Sequence, residues 1–176
     1  VTRAQLEHII RAATTIADDV AIVIVGSQSI LGQFPDAPEE LLVSDEDDVF
    51  PLNFPERADL IDGCIGEGSA FHDTFGYYAQ GVGEETSVLP PGWRERLVPV
   101  QNANTRHAIG LCLEVHDLVL AKLVAGREKD RRFTAAAARH RLVERRVLMD
   151  RLAQLEIDEE VREVVASRIA VDFAGR

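Results

Sequence analysis

The sequence predicts an α+β fold: a small mixed β-sheet flanked by helices, with a helical C-terminal third. Three observations carry this. The chain opens on a helical period, short apolar runs broken by Gly and Pro fill residues 21–115, and the period is helical again from His116 onward. Helix first, then mixed strands and helices, then helices alone is the order expected of a small sheet covered by helices.

The elements follow in order. In "VTRAQLEHIIRAATTIADD", Thr2 and Gln5 have capping-box spacing, and Leu6, Ile9, Ile10, Ala13 and Ile16 share one face, so a helix is expected over 3–17. "AIVIV" (21–25) is unbroken apolar and predicts a strand buried on both faces. Ser27 to Leu31 fits a helical turn, and "GQFPDAPEE" is a loop. "LLVSDEDDVFPL" (41–52) is a second strand ended by Pro51, and "PERADLIDGCIGEGS" (55–69) a helix with Pro in its first turn. "GYYAQGV" and "ERLVPVQN" are short strands joined by the turn "PPGW", and "AIGLCLEV" is another strand. "HDLVLAKLVAGREKDRRFTAAAARH" is one helix, or two broken near Gly126; "VERRVLMDRLAQL" and "DEEVREVVASRIA" are two more. In the last, Asp158 is the expected N-cap and Val161, Val164, Val165 and Ile169 the apolar face. Residues 1–116 are expected to form the α/β core, with 117–176 a helical part packed on it.

Composition bounds the function. At 176 residues and 46% apolar, the chain can build a core of one domain. Cys64 and Cys112 have no CxxC spacing and no ligand histidines nearby, which supports neither a disulfide framework nor a zinc site and points to a reducing cytoplasm. No apolar run is long enough to cross a bilayer, and the charged first residues lack a signal-peptide core, so no membrane partner is expected. The net charge of −11 is uneven: residues 1–116 hold 6 Lys+Arg against 19 Asp+Glu, whereas 122–151 hold 10 against 4. A uniformly basic nucleic-acid binder is excluded, but a basic helical face beside an acidic body remains, as a solvated surface or a binding face.

"SDEDD" (44–48) places four carboxylates in consecutive positions inside a β-like segment, with "LLV" before and "VF" after. Consecutive acids repel and disfavour strand, and a divalent cation would compensate them. Residues two apart on a strand share a face, roughly 7 Å apart at Cα, so an i, i+2 pair can converge on Mg2+ or Mn2+. Either Ser44, Glu46 and Asp48 share that face, or Asp45 and Asp47 do. Gly26-Ser27, where the buried strand ends and a helical turn opens, suits a phosphate: glycine allows close backbone approach, and the N–H groups and hydroxyl can donate. The residues after Gly32 are not those of a P-loop, and there is no G-x-G-x-x-G.

Gly-Ser after a first strand, followed by acid-x-acid on a second, resembles the nucleotidyltransferase superfamily related to DNA polymerase beta. Ser27 and Glu46 are 19 residues apart. "LEVHDLVLAKLVAGREKD" (113–130) is similar to the conserved Asp-Leu-x-x-x-Lys helix, Arg and basic-Asp pair of the abortive-infection-type nucleotidyltransferase toxins. Within that group, "GSQSILG", "PERADLIDG" and "HDLVLAKLVAGREKD" resemble a bacterial domain family of unassigned function, over roughly residues 20–145. The resemblance implies that Gly26 and Ser27 hold nucleotide phosphates. It makes Glu46 and Asp48 the metal-binding pair, which selects the Ser44 face and gives Ser44 a place at the site. It implies that Lys122 reaches the triphosphate of an NTP with Arg127 in support, and that Asp130 orients Lys122 or the acceptor. Two departures stand out. The first metal carboxylate is Glu rather than Asp, and the third carboxylate found in many members has only Glu114 as a candidate.

The implied reaction is Mg2+- or Mn2+-assisted transfer of an NMP to an acceptor hydroxyl, on an RNA end such as tRNA, a protein or a small molecule, with an antitoxin protein as a further partner. The other class is a non-catalytic scaffold of the same fold. Each site residue also has an ordinary reading: Lys122 as a helix lysine lying over apolar surface, Arg127 as the i, i+3 ion-pair partner of Asp130, and His116-Asp117 as a helix start. His72, Tyr77 and Tyr78 are expected to pack, and Trp93 is a cleft rim or a loop anchor.

Overall fold

A computed structural model describes residues 1–174; residues 175 and 176, at the end of the expected helical part, lie outside the described residues. Helix α1 (Arg3–Ala17) is closed by the expected capping box, in which Gln5 N–H donates to the Thr2 hydroxyl and Thr2 N–H to Gln5 Oε1. Strand β1 (Ala21–Ile24) follows, with all four residues buried. A 3-10 turn (Ser27–Ser29) runs into the short helix α2 (Ile30–Gln33), as the helical-turn reading required.

Strand β2 (Glu46–Pro51) starts later than the expected 41–52. The carbonyls before it are taken from outside the ladder: the Val1 ammonium donates to Leu42 O and Ser44 O, and Gln28 Nε2 donates to Ser44 O. Residues 39–41 instead form a 3-10 turn. The helix expected over 55–69 is α3 (Ala58–Ile65) after a 3-10 turn over 55–57, and a separate helix α4 (Ala70–Phe75), not anticipated, is capped by the Ser69 hydroxyl. Strands β3 (Tyr78–Gly81), β4 (Val98–Val100) and β5 (Ile109–Cys112) complete the sheet, in the order β3-β2-β1-β5-β4. β3 and β4, though consecutive in the chain, therefore lie at opposite edges. Beside β1, β2 runs antiparallel and β5 parallel.

The segment from 116 to 140, expected as one helix or two broken near Gly126, is two, α5 (Val115–Ala125) and α6 (Glu128–Arg139), followed by α7 (Arg145–Leu152) and α8 (Glu159–Asp172). The break is at Gly126, whose φ of +67° is left-handed and costs glycine least. On α8, Val165 and Ile169 enter the core, but Val161 and Val164 are exposed, so the apolar face is narrower than its spacing implied.

Strand alternation assigns the two faces of the sheet. Ile22, Ile24, Gly110, Cys112, Asp47 and Val49 share one, which packs against α1 and α2: a Cβ on Gly110 would meet Ile10, and one on Gly32 would meet Cys112 Cβ at 2.6 Å. Gly32 is thus a packing glycine under α2. The other face carries Val23, Phe50, Glu46 and Asp48 and looks toward α5 and the start of α6. Helices α6, α7 and α8 pack on α5.

Candidate functional site

The site forms where β1 ends beside the start of β2. Val25 N–H and Gly26 N–H both donate to Asp48 O, at 2.9 and 3.3 Å. A Cβ on Gly26 would lie 2.7 Å from the Asp48 backbone nitrogen and 3.2 Å from its Oδ2, so only glycine lets the strand exit pass this close to the carboxylate. The turn that follows is fixed by Ser29 Oγ donating to Ile24 O at 2.6 Å. It leaves the Ser27 side chain on the wall of a pocket of about 400 Å³.

Strand alternation left two registers open and the resemblance selected the Ser44 face; burial separates the two faces in the structure. Glu46 and Asp48 line that pocket, whereas Asp45 is exposed and Asp47 is fully buried on the opposite face. Neither Asp47 carboxylate oxygen has a hydrogen-bond partner among the described residues. Burial, reinforced by Asp48, pushes the Asp47 carboxyl well above the usual range and favours its neutral form, which lessens charge crowding in the acidic run. Asp48 is also raised, by burial and by Glu46, with Lys122, Lys129 and Arg127 opposing. Its carboxylate makes no ion pair among the described residues, and Glu46 has only Lys129, at 3.7 Å. Ser44 lines the pocket, but its hydroxyl is spent locally: it accepts from Glu46 N–H at 3.2 Å and donates to Glu46 O at 3.1 Å. Its contribution is to set the start of β2.

The opposite wall is cationic and comes from the α5–α6 break. Lys122, on the last turn of α5, is largely buried, with Nζ 5.0 Å from the Phe133 ring centre and 3.4 Å from Asp130 Oδ1. Burial lowers its pKa, and Asp130 opposes that. Asp130 is fully buried in the first turn of α6; its Oδ2 accepts from Arg127 Nε at 2.7 Å and from Arg127 N–H at 3.3 Å. Burial alone would raise its carboxyl, but Arg127 and Lys122 outweigh it and hold it below the usual range. The i, i+3 pairing of Arg127 with Asp130 is therefore real, and both residues also line the pocket with Ser27, Glu46, Asp48 and Lys122. Gly26, expected at the phosphates, is buried and does not line the pocket; its place is under the wall, in close approach to Asp48.

Sequence reasoning gave no role to Lys129 or to the apolar end of the pocket, formed by Leu41, Val43 and Phe133. Lys129 is the basic member of the basic-Asp pair already visible in "REKD"; the apolar end depends on tertiary packing and has no local signal. Glu114 is elsewhere. It caps α5 by accepting from His116 N–H at 3.1 Å, pairs with His116 Nδ1 at 2.7 Å, and forms an ion pair with Arg151. Because His116 Nε2 accepts from Glu144 N–H at 3.0 Å, its proton sits on Nδ1 and points to Glu114. Next to it, buried Asp117 receives Arg96 and Arg151. On the site face, β5 places Leu111 beside Val23 and Leu113 beside Val25, so the neighbouring strand offers no third carboxylate there. His72 packs at a tilt on Tyr78, Tyr77 bonds His8, and Trp93 packs under Arg94 in its loop.

The donor set fits a hard divalent cation. Among the described residues no group of three or more His, Cys, Asp or Glu is arranged to hold a metal, but Mg2+ is commonly held by one or two carboxylates with substrate phosphates and water supplying the rest. Two like charges on one face, one of them without an intrachain counter-ion, are what such an ion would balance. No helix is long and apolar enough to cross a membrane among the described residues. No curated protein and no solved structure matches the chain significantly. The family model described as "Nucleotidyltransferase of unknown function (DUF6036)" does match, over residues 4–173, and the chain, with this fold and this pocket, belongs to that family.

Proposed function

We propose that the protein transfers a nucleoside monophosphate from an NTP to an acceptor hydroxyl, with a divalent cation, Mg2+ or Mn2+, held by Glu46 and Asp48. One observation carries this reading: Ser27, Glu46, Asp48, Lys122, Arg127 and Asp130 come from distant parts of the chain and line a single pocket. The bound ion would supply neutralisation of triphosphate charge. The chain's own residues do the positioning. Gly26 brings the strand exit close to the carboxylates, and the Ser27 hydroxyl donates to phosphate oxygens. Lys122 presents its ammonium from a low-dielectric wall, where it acts more strongly than in water. Asp130 orients Lys122 and Arg127 rather than touching the nucleotide. The apolar end at Leu41, Val43 and Phe133 is the natural seat for a base or ribose. The acceptor is an RNA end, a protein or a small molecule, and the similarity of the α5–α6 segment to nucleotidyltransferase toxins makes an antitoxin protein a further partner.

Leu111 and Leu113 on the site face favour a second reading, a nucleotidyltransferase scaffold without catalysis that acts as an interaction module. Thermal-shift titration with Mg2+ and each NTP separates the two. A rise in melting temperature that disappears in Glu46→Ala/Asp48→Ala supports the enzyme; no rise with any NTP sinks it and leaves the scaffold. Incubation with α-32P-labelled NTPs and total RNA or lysate then identifies the acceptor class, and labelling of RNA that falls steeply with salt marks phosphate contacts.

A further inference from the structure

A second cleft, of about 300 Å³, opens beside the carboxylate pair. It shares Glu46, Asp48, Lys122, Arg127 and Lys129 with the first and then diverges. Group transfer needs a donor seat and an acceptor seat that meet at the reacting phosphorus. The first cleft, with Ser27 and the apolar end, suits the donor. The walls that belong to the second alone carry no charge: they are the apolar side chains of Val25 and of Leu118, Ala121 and Ala125 on α5, together with the hydroxyl residues Thr86 and Ser87.

Those two residues lie in a 3-10 turn (Glu84–Thr86) and at its end, just after β3. Thr86 N–H donates to Gly83 O at 3.1 Å and Ser87 N–H to Glu84 O at 3.4 Å, while Arg94 pairs with Glu84 and fastens the turn. β3 is paired with β2, Asp48 opposite Gln80 and Val49 opposite Gly81, so the turn is carried on the strand next to the carboxylates. Neither hydroxyl has a hydrogen-bond partner among the described residues, unlike Ser44, whose hydroxyl is engaged. The acceptor seat thus contains two uncommitted hydroxyls of the chain itself.

We propose that the Thr86–Ser87 turn is an internal nucleotidyl acceptor, so that the protein modifies itself in its second cleft. This rests on the nucleotidyl-transfer reading above. The hydroxyl oxygen of one residue forms a bond to the α-phosphorus of the NTP. The bond from that phosphorus to the bridging oxygen of the β-phosphate breaks, pyrophosphate leaves, and the hydroxyl proton passes to water at the cleft mouth. The product is a phosphodiester between the side chain and the nucleoside, and it fills the seat against outside acceptors.

The test is intact-mass and peptide mass spectrometry of the full chain after incubation with Mg2+ and each NTP, with a thermal shift recorded alongside. Expected is a mass gain of one nucleoside monophosphate on Thr86 or Ser87. It should be lost in Glu46→Ala/Asp48→Ala and in Thr86→Ala/Ser87→Ala, the latter still melting higher with Mg2+ and NTP. A wild-type thermal shift without any adduct overturns the internal acceptor and leaves nucleotide binding intact. An adduct undiminished in Thr86→Ala/Ser87→Ala also overturns it. Absence of both shift and adduct removes the underlying reading as well.

Discussion

Replacing Asp48 with Asn should stabilise the metal-free protein while destroying its response to metal and nucleotide. The two effects have one origin. Asp48 is partly buried, lacks an intrachain ion pair among the described residues, and shares a strand face with Glu46. Two unit charges about 7 Å apart at an effective dielectric of about 20 repel by about 2 kcal/mol. Exposure and salt screen part of this, and lost attraction to Lys122, Lys129 and Arg127 offsets more, leaving on the order of 1 kcal/mol together with the relieved burial penalty. For a chain of this size that is a rise of about 2–4 °C in melting temperature.

The pH dependence follows from the direction of the shift. The Asp48 carboxyl is raised on folding, by burial and then by Glu46. The wild type therefore has its full share of stability from this residue below the ordinary carboxylate range, about 3.9, and loses it as pH rises through the raised folded value. Asn cannot ionise, so the advantage of Asp48→Asn should be largest near neutral pH and vanish in acid. Differential scanning fluorimetry in EDTA, repeated across pH and then with Mg2+ and NTP, measures all of this. If Asp48→Asn melts at or below the wild type near neutral pH in EDTA, the carboxylate is not a strained, unspent charge and the case for it as a metal ligand collapses.

Three other positions probe the cationic wall, the strand exit and the Glu114 cluster away from the site. Asp130→Asn strands Lys122 and Arg127 beside a buried amide, and losing one partner of a buried pair costs about 3 kcal/mol; urea midpoints should show this, and Lys122→Met added to it should recover part of the loss because no buried ammonium remains. Gly26→Ala drives a Cβ to 2.7 Å from the Asp48 backbone nitrogen and should cost about 1–3 kcal/mol by overpacking, with NTP-induced stabilisation lost; unchanged NTP stabilisation would show that the close approach is irrelevant to binding. Arg151→Ala should lower stability at neutral pH and flatten its fall in acid: Glu114 is held at about 2, with His116 and Arg151 overcoming the upward effect of burial, so in the wild type it contributes about 2–3 kcal/mol above its unfolded value near 4.3 that is lost as pH falls toward about 2. Wild type and variant should therefore diverge most above pH 4.3 and converge in strong acid, and a constant gap would refute the assignment.

Local signals served the fold where one residue type dictates one conformation. The Thr2–Gln5 capping box and the unbroken apolar β1 are properties of neighbouring residues, and each was legible; Gly126 marked where the long helical segment could break without deciding that it does. The elements that departed are those decided from a distance. β2 starts at Glu46 because Gln28, in the turn after β1, captures the Ser44 carbonyl that precedes it. β3 and β4 separate to opposite edges because β5, later in the chain, pairs with β1 between them. No hydropathy period encodes either event.

The site divides in the same way. Residue types and spacing nominated Gly26-Ser27 and an acid pair in "SDEDD", while Glu46 with Asp48, Lys122, Arg127 and Asp130 came from the family resemblance; alternation alone left two registers open, because both faces of "SDEDD" carry acids. What separates them is what each face meets. The Asp47 side meets α1 and α2 in the core, where its carboxyl is driven toward neutrality. The Asp48 side meets Lys122 across a cleft, where its charge can persist. Burying one acid and exposing the next to cations turns a repulsive run into a single usable pair. It also explains how β2 can open on three consecutive acids, Glu46, Asp47 and Asp48, after the exposed Asp45: only Glu46 and Asp48 remain as neighbouring charges on one face, and they are placed where a cation can balance them.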